Sequence, residues 1–468
     1  MVYLLFLIFL CHLLNVIDSF IPEGRVGHSA ALVGNMIYFF GGRLTNFEFS
    51  NEVFLLDLSQ PFDTFAPPWV DLSYSASVPF LSFDATTSVI DDNIYLIGGY
   101  MFDLIIKEEI FASSVYTFNI NSMQWTPIAI KGIMPQRRGL MNSVSDQAGK
   151  IYAFGGYDYP NNQNNSTKVF NDMIILDTTD SIWSYGTKTN SPLPRYYYTA
   201  TILSDGVIVY IGGYEVVGCE LCFQIVDIYQ IILYDTKTDS WTKMEAGGVE
   251  NIDPRYSHTA VLDSNNTIIV YGGKNSVNQN SSPSLIVLNV YVQPYEWIIP
   301  STNGNYTPPP LADHSAFIVE DYMILTLGNL TISDENTSEI PNTNVYLLDL
   351  RAFMWVNSFN SSNSSSTITT SVQISETTSP DSNYSSNANY HLNSFDGYEQ
   401  ITTLKVVVGT ISGIFGTAIF MTIGILIYRW NKKRVQSETL IIPSSTDIYY
   451  QPYLYRQNTI APVLNHNT

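Results

Sequence analysis

The chain has 468 residues and a formal net charge of −21, with 45% hydrophobic, 13% aromatic and 13% charged residues. An acidic surface of this size argues against nucleic acid and anionic lipid as partners and permits cationic ones. Of the three cysteines, Cys11 would leave with an N-terminal signal, and Cys219 and Cys222 lie three residues apart in one loop. Residues 1–19 read as a secretory signal peptide. Val2 to Leu14 is apolar except for His12, too short to span a bilayer comfortably, and Ser19 offers a small residue for cleavage.

From there the sequence repeats. Ile151-Tyr152-Ala153-Phe154-Gly155-Gly156 recurs as strand-like runs into Gly41-Gly42, Gly98-Gly99, Gly212-Gly213 and Gly272-Gly273, with a decayed copy at Gly328-Asn329. The first glycines are 56 to 60 residues apart. Trp69, Trp125, Trp183, Trp241, Trp297 and Trp355 each follow 25 to 29 residues behind. Apolar runs ending in Asp57, Asp177, Asp235 and Asp349 precede four of them. Three markers in register over six units indicate a repeat architecture. Strand-length apolar runs punctuated by turn residues predict four short strands per unit. Six such sheets bury their faces by packing around an axis, which predicts an all-β, six-bladed propeller over residues 20–360.

The order Arg, His-Ser/Thr-Ala, apolar strand, Gly-Gly, apolar-apolar-Asp strand, Trp resembles the kelch repeat, and the whole resembles a kelch-like propeller of the galactose oxidase or attractin-like ectodomain kind. Arg25, Arg138, Arg195 and Arg255 stand 16 or 17 residues before their glycine, as that pattern expects. Leu81 and Leu311 hold the place in blades two and six, and Asn329 stands where blade six would have its second glycine. The resemblance implies a propeller fold but not one function.

Residues 361–404 turn Ser/Thr/Asn-rich and read as a disordered stalk. Residues 405–428 carry an uncharged apolar run from Val406 to Tyr428, long enough for one transmembrane helix. Arg429, Lys432, Lys433 and Arg434 follow it, which predicts a cytoplasmic tail over 429–468 and a single-pass type I topology with the propeller extracellular or lumenal. Gly409 and Gly413 form a Gly-x-x-x-Gly pair that would permit a homodimer through the helix. Acceptor sequons at Asn164, Asn165, Asn265, Asn280, Asn305, Asn329, Asn336, Asn360, Asn363 and Asn383 all precede that segment and agree with a glycoprotein. Cys219 and Cys222 predict a local disulfide in an oxidising lumen, since a lone Cys-x-x-Cys cannot complete a zinc site.

No phosphate loop, zinc-protease motif or nucleophile elbow occurs, so no catalytic residue, metal or cofactor is predicted. His28, His258 and His314 fall at one repeat position, where Met141 and Tyr198 stand in other blades, so they read as structural. In an antiparallel blade the loops joining strands two and three share a face with the links between blades. The residues after the glycine pairs, Arg43, Tyr100, Tyr157, Tyr214 and Lys274, would ring that face, and tyrosine and arginine are favoured interface anchors. The expected function is a non-catalytic cell-surface scaffold that binds a protein or glycan. The alternative is a membrane-tethered copper oxidase, which the galactose oxidase resemblance would imply.

Overall fold

The computed structural model describes residues 20–360 apart from 77, 111–114, 159–166, 220–221, 278 and 332–339. The chain divides into two compact units, Met1–Thr369 and Thr370–Thr468, and all described residues lie in the first. Every regular element among them is a strand. Six blade sheets follow one another along the chain: five are four-stranded and antiparallel, and the fifth blade adds Gly247–Gly248 in parallel beside its outer strand Glu296–Ile298. Blade one consists of Ser29–Val33, Met36–Phe40, Val53–Asp57 and Trp69–Asp71. Blade three consists of Ser143–Ser145, Lys150–Phe154, Met173–Asp177 and Ile182–Tyr185. Blade six ends the series with Ser315–Val319, Tyr322–Thr326, Val345–Asp349 and Met354–Val356.

The second strand of each blade is the glycine-pair strand, and it is buried on both faces: in blade three Ile151, Tyr152, Ala153 and Phe154 are all buried. That explains why these strands read as continuous apolar runs and not as alternating ones. Their side chains fill the spaces between blades. One cluster joins blades two, three and four, others join one to two, four to five and five to six, and another joins six back to one. The ring is therefore closed. The repeated tryptophans sit in these spaces, where Trp297 is only 1% exposed. Its indole N–H donates to the Ile228 carbonyl at 3.2 Å across the blade boundary, and Trp241 does the same to Thr187 at 3.0 Å.

The means of closure could not be read from the repeat. Ser358–Phe359, just past the last blade, pairs with Phe62–Asp63, inserted between strands three and four of blade one. Phe359 is fully buried beside Phe62, with ring centroids 5.4 Å apart.

The membrane reading is corrected here. Among the described residues no helix is long and apolar enough to cross a membrane. Their apolar residues serve sheet faces, buried between blades. The transmembrane helix, the type I topology with its extracellular or lumenal placement, and dimerisation through that helix have no support in an all-strand structure and are set aside. The segments from which they were read, the signal peptide at 1–19 and the stalk, span and tail over 361–468, lie outside the described residues.

Candidate recognition face

The glycine pair builds one face of the propeller. In blade three Gly155 and Gly156 have φ of 63° and 95°, values open to glycine at little cost. A Cβ on Gly155 would lie 2.4 Å from the Arg195 carbonyl of blade four. The close approach lets the Gly156 N–H donate to that same carbonyl at 2.9 Å. The bond recurs from Gly42 to Ser82, Gly99 to Arg138, Gly213 to Arg255 and Gly273 to Leu311, at 2.7 to 2.9 Å, and Gly328 donates to Arg25 at 3.1 Å to complete the circle. The pair is thus the joint between successive blades.

These contacts correct two registers. Blade two places Ser82, not Leu81, where other blades have arginine: Ser82 pairs with Met101 as Arg195 pairs with Glu215. In blade six the pair is Leu327-Gly328, with φ of 57° and 78°. Leu327 has replaced the first glycine, and Asn329 is the residue after the pair.

Beyond each pair the chain forms a second, smaller sheet with the segment that enters the blade. In blade four Arg195–Tyr196, Tyr214–Val216 and Phe223–Ile225 make three strands. In blade two they are Phe80–Phe83, Tyr100–Asp103 and Glu108–Glu109. Arg43, Tyr100, Tyr157, Tyr214 and Lys274 each occupy the equivalent place on their own small sheet or bridge. Tyr214 is buried and packs on Tyr196 and Tyr256, with centroids 5.5 and 4.6 Å away. Tyr100 is half-buried beside Phe49 and Phe83. Lys274 pairs with Asp313 at 3.3 Å.

The four repeat arginines lie beneath this face, at most 1% exposed. Arg138 shows their role. It donates to Gly155 O at 3.1 Å and to both oxygens of Asp172, and stacks 3.8 Å from the Phe170 ring centroid. Arg25 likewise reaches Gly41 O and Glu52. Arg255 holds Gly272 O and Pro283 O, and burial lowers its pKa to about 10.

The sequence matches the family profile described as Attractin/LZTR1 beta-propeller over residues 15–282, and a KLHDC2/KLHL20/DRC7 Kelch-repeats domain profile over residues 218–376. The first match spans more than half of the chain. The chain belongs to the attractin/LZTR1 β-propeller family. It is similar to Kelch domain-containing protein 3 of Bos taurus, 25% identical over 336 residues that cover 69% of this chain and 84% of that protein. It is also similar to human Kelch domain-containing protein 1, 28% identical over 278 residues that cover 53% and 64%. Adagio-like protein 3 of rice is 26% identical over 322 residues that cover 66% and 47%. Propellers of this kelch kind serve as protein-interaction scaffolds and are typically non-catalytic.

The histidines of this attractin/LZTR1-type propeller fit that assignment. His28 Nε2 bonds Ser315 Oγ at 2.8 Å, His258 Nε2 bonds Thr199 Oγ1 at 3.1 Å, and His314 Nε2 bonds Thr259 Oγ1 at 2.8 Å. Each bond ties one blade to the blade before it. Burial lowers the His28 pKa to about 3 and the His314 pKa to about 4, and pushes His258 well down. Among the described residues no group of three or more His, Cys, Asp or Glu side chains could hold a metal. Cys219 and Cys222 are joined to each other, so neither carries a tyrosine cross-link. The copper-oxidase alternative therefore finds no site among the described residues.

Among the described sequons, Asn265, Asn305 and Asn360 are exposed and Asn280 is half-buried. Asn329 is 4% exposed and has no room for a glycan; Asn164, Asn165, Asn336, Asn363 and Asn383 lie outside the described residues.

One circle of residues escaped the sequence altogether. Gly27, Asp84, Leu140, Tyr197, Ser257 and Asp313, one per blade, all have φ between 54° and 60°. The backbone N–H of each from Asp84 to Asp313 donates to the carbonyl of the one before, at 2.7 to 3.2 Å. They form a collar of backbone bonds from blade to blade. The sequence signal is absent because the role belongs to the main chain, and the six side chains have nothing in common.

Proposed function

We propose that this scaffold takes hold of its protein partners through the glycine-pair face, with Arg43, Tyr100, Tyr157, Tyr214 and Lys274 as the inner ring of contacts. The observation that carries this reading is the distribution of exposed apolar side chains. Loop tips and blade links of this face present Phe47 (70% exposed), Ile105 (78%), Ile106 (64%), Ile133 (75%) and Val277 (55%). Apolar groups displayed on blades one, two and five and on the link from two to three suit a protein surface. A rigid wheel beneath them keeps the loops preorganised, which lowers the entropic cost of association.

The test uses the full chain, with Ile105→Glu and Ile133→Glu combined as one variant and Tyr100→Ala and Tyr157→Ala as another. Tyr291→Ser is the control, since Tyr291 is 69% exposed in the turn between strands three and four of blade five, on the opposite face. Proteins that copurify with the wild type are expected to fall at least tenfold with either face variant and to persist with the control. Equal recovery from all three, with unchanged melting temperatures, would discard this face.

A further inference from the structure

We propose that the outer edge of blade four is a second interaction surface, on the rim of the wheel and independent of the glycine-pair face, which takes one extended strand of a protein partner in the order Gly-x-acid-x-base. The edges of three other blades show what such a strand looks like. In blade three the Lys131 N–H donates to Ser181 O at 2.8 Å and the Trp183 N–H to Lys131 O at 3.0 Å. In blade five the Gly247 N–H donates to Tyr295 O at 2.7 Å and the Val249 N–H to Trp297 O at 3.0 Å. In blade six the Trp355 N–H donates to Asn303 O at 2.9 Å. Each of these blade links runs parallel to the outer strand it covers, in one register: Gly132, Gly248 and Gly304 fall opposite Trp183, Trp297 and Trp355. A Cβ on any of the three would lie 2.2 to 2.7 Å from that tryptophan's carbonyl oxygen, so glycine is what lets the segment close on the edge.

Blade four lacks this cover. Lys188 stands seven residues before Arg195, the place that Gly248 holds before Arg255 and Gly304 before Leu311. Its link is held instead at Thr187, whose N–H donates to Asp239 Oδ1 at 2.7 Å and whose carbonyl takes the Trp241 indole N–H. Among the described residues nothing pairs with the outer side of Ser240–Glu245, which at six residues is the longest outer strand of the wheel. The Ala246 N–H donates inward to Tyr229 O at 2.8 Å, and successive residues of an antiparallel edge alternate in direction. Trp241, Lys243 and Glu245 therefore turn their backbone N–H and C=O groups outward. The outer strand of blade two, Gln124–Pro127, ends in a proline with no N–H to offer.

The shared register specifies the partner. With glycine opposite Trp241, the residue two further on lies beside exposed Lys243 and the one four further on beside exposed Glu245. Opposite charges pair across neighbouring strands, which asks for Asp or Glu and then Lys or Arg. The same two side chains deter an arbitrary strand, as charges on an open edge do. No Gly-x-acid-x-base run occurs in this sequence, so the fitting strand belongs to another protein.

The probe is the synthetic peptide Ser-Gly-Thr-Glu-Thr-Lys-Val-Thr, dye-labelled and titrated into the full chain by fluorescence anisotropy, with amide hydrogen exchange mapped on the complex. Saturable binding is expected, with exchange slowed at Lys243 and Glu245. Replacing the peptide's glycine by alanine should weaken binding about tenfold or more, because the new Cβ meets the Trp241 carbonyl. Exchanging the peptide's Glu and Lys should weaken it about fivefold, and Lys243→Glu combined with Glu245→Lys should reverse that preference. Lys243→Pro should abolish binding with little change in melting temperature, since an edge strand tolerates proline where the N–H faces solvent. If Lys243→Pro does not fold, the charge exchange decides alone. Ile105→Glu with Ile133→Glu, on the glycine-pair face, should bind the peptide as the wild type does. No saturable binding, indifference to the alanine or to the exchanged charges, or protection elsewhere than on Ser240–Glu245 would overturn the edge. Loss of binding with the glycine-pair face variant would overturn it too, by moving the peptide to that face.

Discussion

Five joints of the wheel and the seam that closes it solve one problem in two ways. At the joints the backbone of one blade meets the backbone of the next: a Cβ on Gly98 would stand 2.3 Å from the Arg138 carbonyl, and one on Gly272 would stand 2.1 Å from that of Leu311. At the seam Leu327 takes the first glycine's place, fully buried at φ 57°, and the joint's hydrogen bond lengthens to 3.1 Å. The chain end supplies what the backbone gives up, through the Phe62–Phe359 pairing. The difference teaches that the joint is generic and copied, whereas closure is bespoke.

That contrast makes opposite predictions about size. At a joint, a larger residue should be worse. Gly155→Val adds about 1–2 kcal/mol of left-handed backbone strain and roughly 1–3 kcal/mol of overlap with the Arg195 carbonyl, so a loss near 4 kcal/mol is expected in urea unfolding. At the seam, a smaller residue should be worse. Leu327→Ala should cost about 3 kcal/mol for a buried cavity. If Leu327→Ala is neutral, the leucine is merely tolerated and the seam is an imperfect joint.

The polar supports divide along the same line. Arg138 holds the Gly155 carbonyl and pairs with Asp172 at 2.5 Å. Blade six has Leu311 in the arginine's place, and the buried Asn342 amide donates to Leu327 O at 3.1 Å in its stead. Arg138→Met should cost about 3 kcal/mol, because it strands a carboxylate and a buried carbonyl. Asn342→Ala should cost about 1–2 kcal/mol, because only neutral groups are stranded. Equal losses would mean that the ion pair adds nothing beyond the shared hydrogen bond to the carbonyl.

How much of this the sequence disclosed follows from what a side-chain pattern can record. Blade number and strand order were legible, because glycine at the joint and tryptophan between blades are residue types that packing demands. The registers of blades two and six were not legible. Ser82 and Leu81 are adjacent, and only the pairing of Ser82 with Met101 shows which one faces the joint. The decayed pair read as Gly328-Asn329 because a glycine is visible and a leucine at positive φ is not. Closure was hidden for a related reason: Phe62 and Phe359 lie almost 300 residues apart in the chain and belong to no repeat. Asn329 read as a glycan acceptor from its local motif, which carries no information about burial.

Acid should act first on the blades that carry a buried histidine. His28 and His314 lie in blades one and six, with pKa values near 3 and 4 against 6.5 in the unfolded chain, and burial pushes His258 of blade five well down too. The corresponding places in blades three and four hold Met141 and Tyr198, which do not titrate there. The folded state binds fewer protons than the unfolded one between these values, so stability is full above pH 6.5 and falls as the pH drops towards 4 and then 3. Arg25 and His314 disfavour a charged His28 further, while Asp313 opposes them. His314→Gln should flatten the slope of unfolding free energy between pH 6 and 4.5 by up to about 1.4 kcal/mol per pH unit. Hydrogen exchange at pH 5 should rise in blades one, five and six before blades three and four. Uniform exchange would show that the wheel opens as a whole and that the histidine-bearing blades have no separate weakness.

The smallest effect is expected at Cys219–Cys222, in blade four and far from the seam in sequence. The bridge sits at an exposed loop tip, where the Val217 N–H already donates to Cys222 O at 2.9 Å and the Cys222 N–H to Cys219 O at 3.0 Å. A four-residue closure constrains the unfolded chain little, so Cys219→Ser with Cys222→Ser should cost no more than about 2 kcal/mol. The strands behind the tip, Tyr214–Val216 and Phe223–Ile225, should persist, because Phe223 packs edge-on against Tyr196 at 5.8 Å and does not depend on the sulfurs. Recovery of the proteins that copurify with the wild type should be unchanged by the double serine variant. A loss would mean that the tip of blade four itself contributes to the face, and that the small sheet behind it does not hold the loop in place without the bridge.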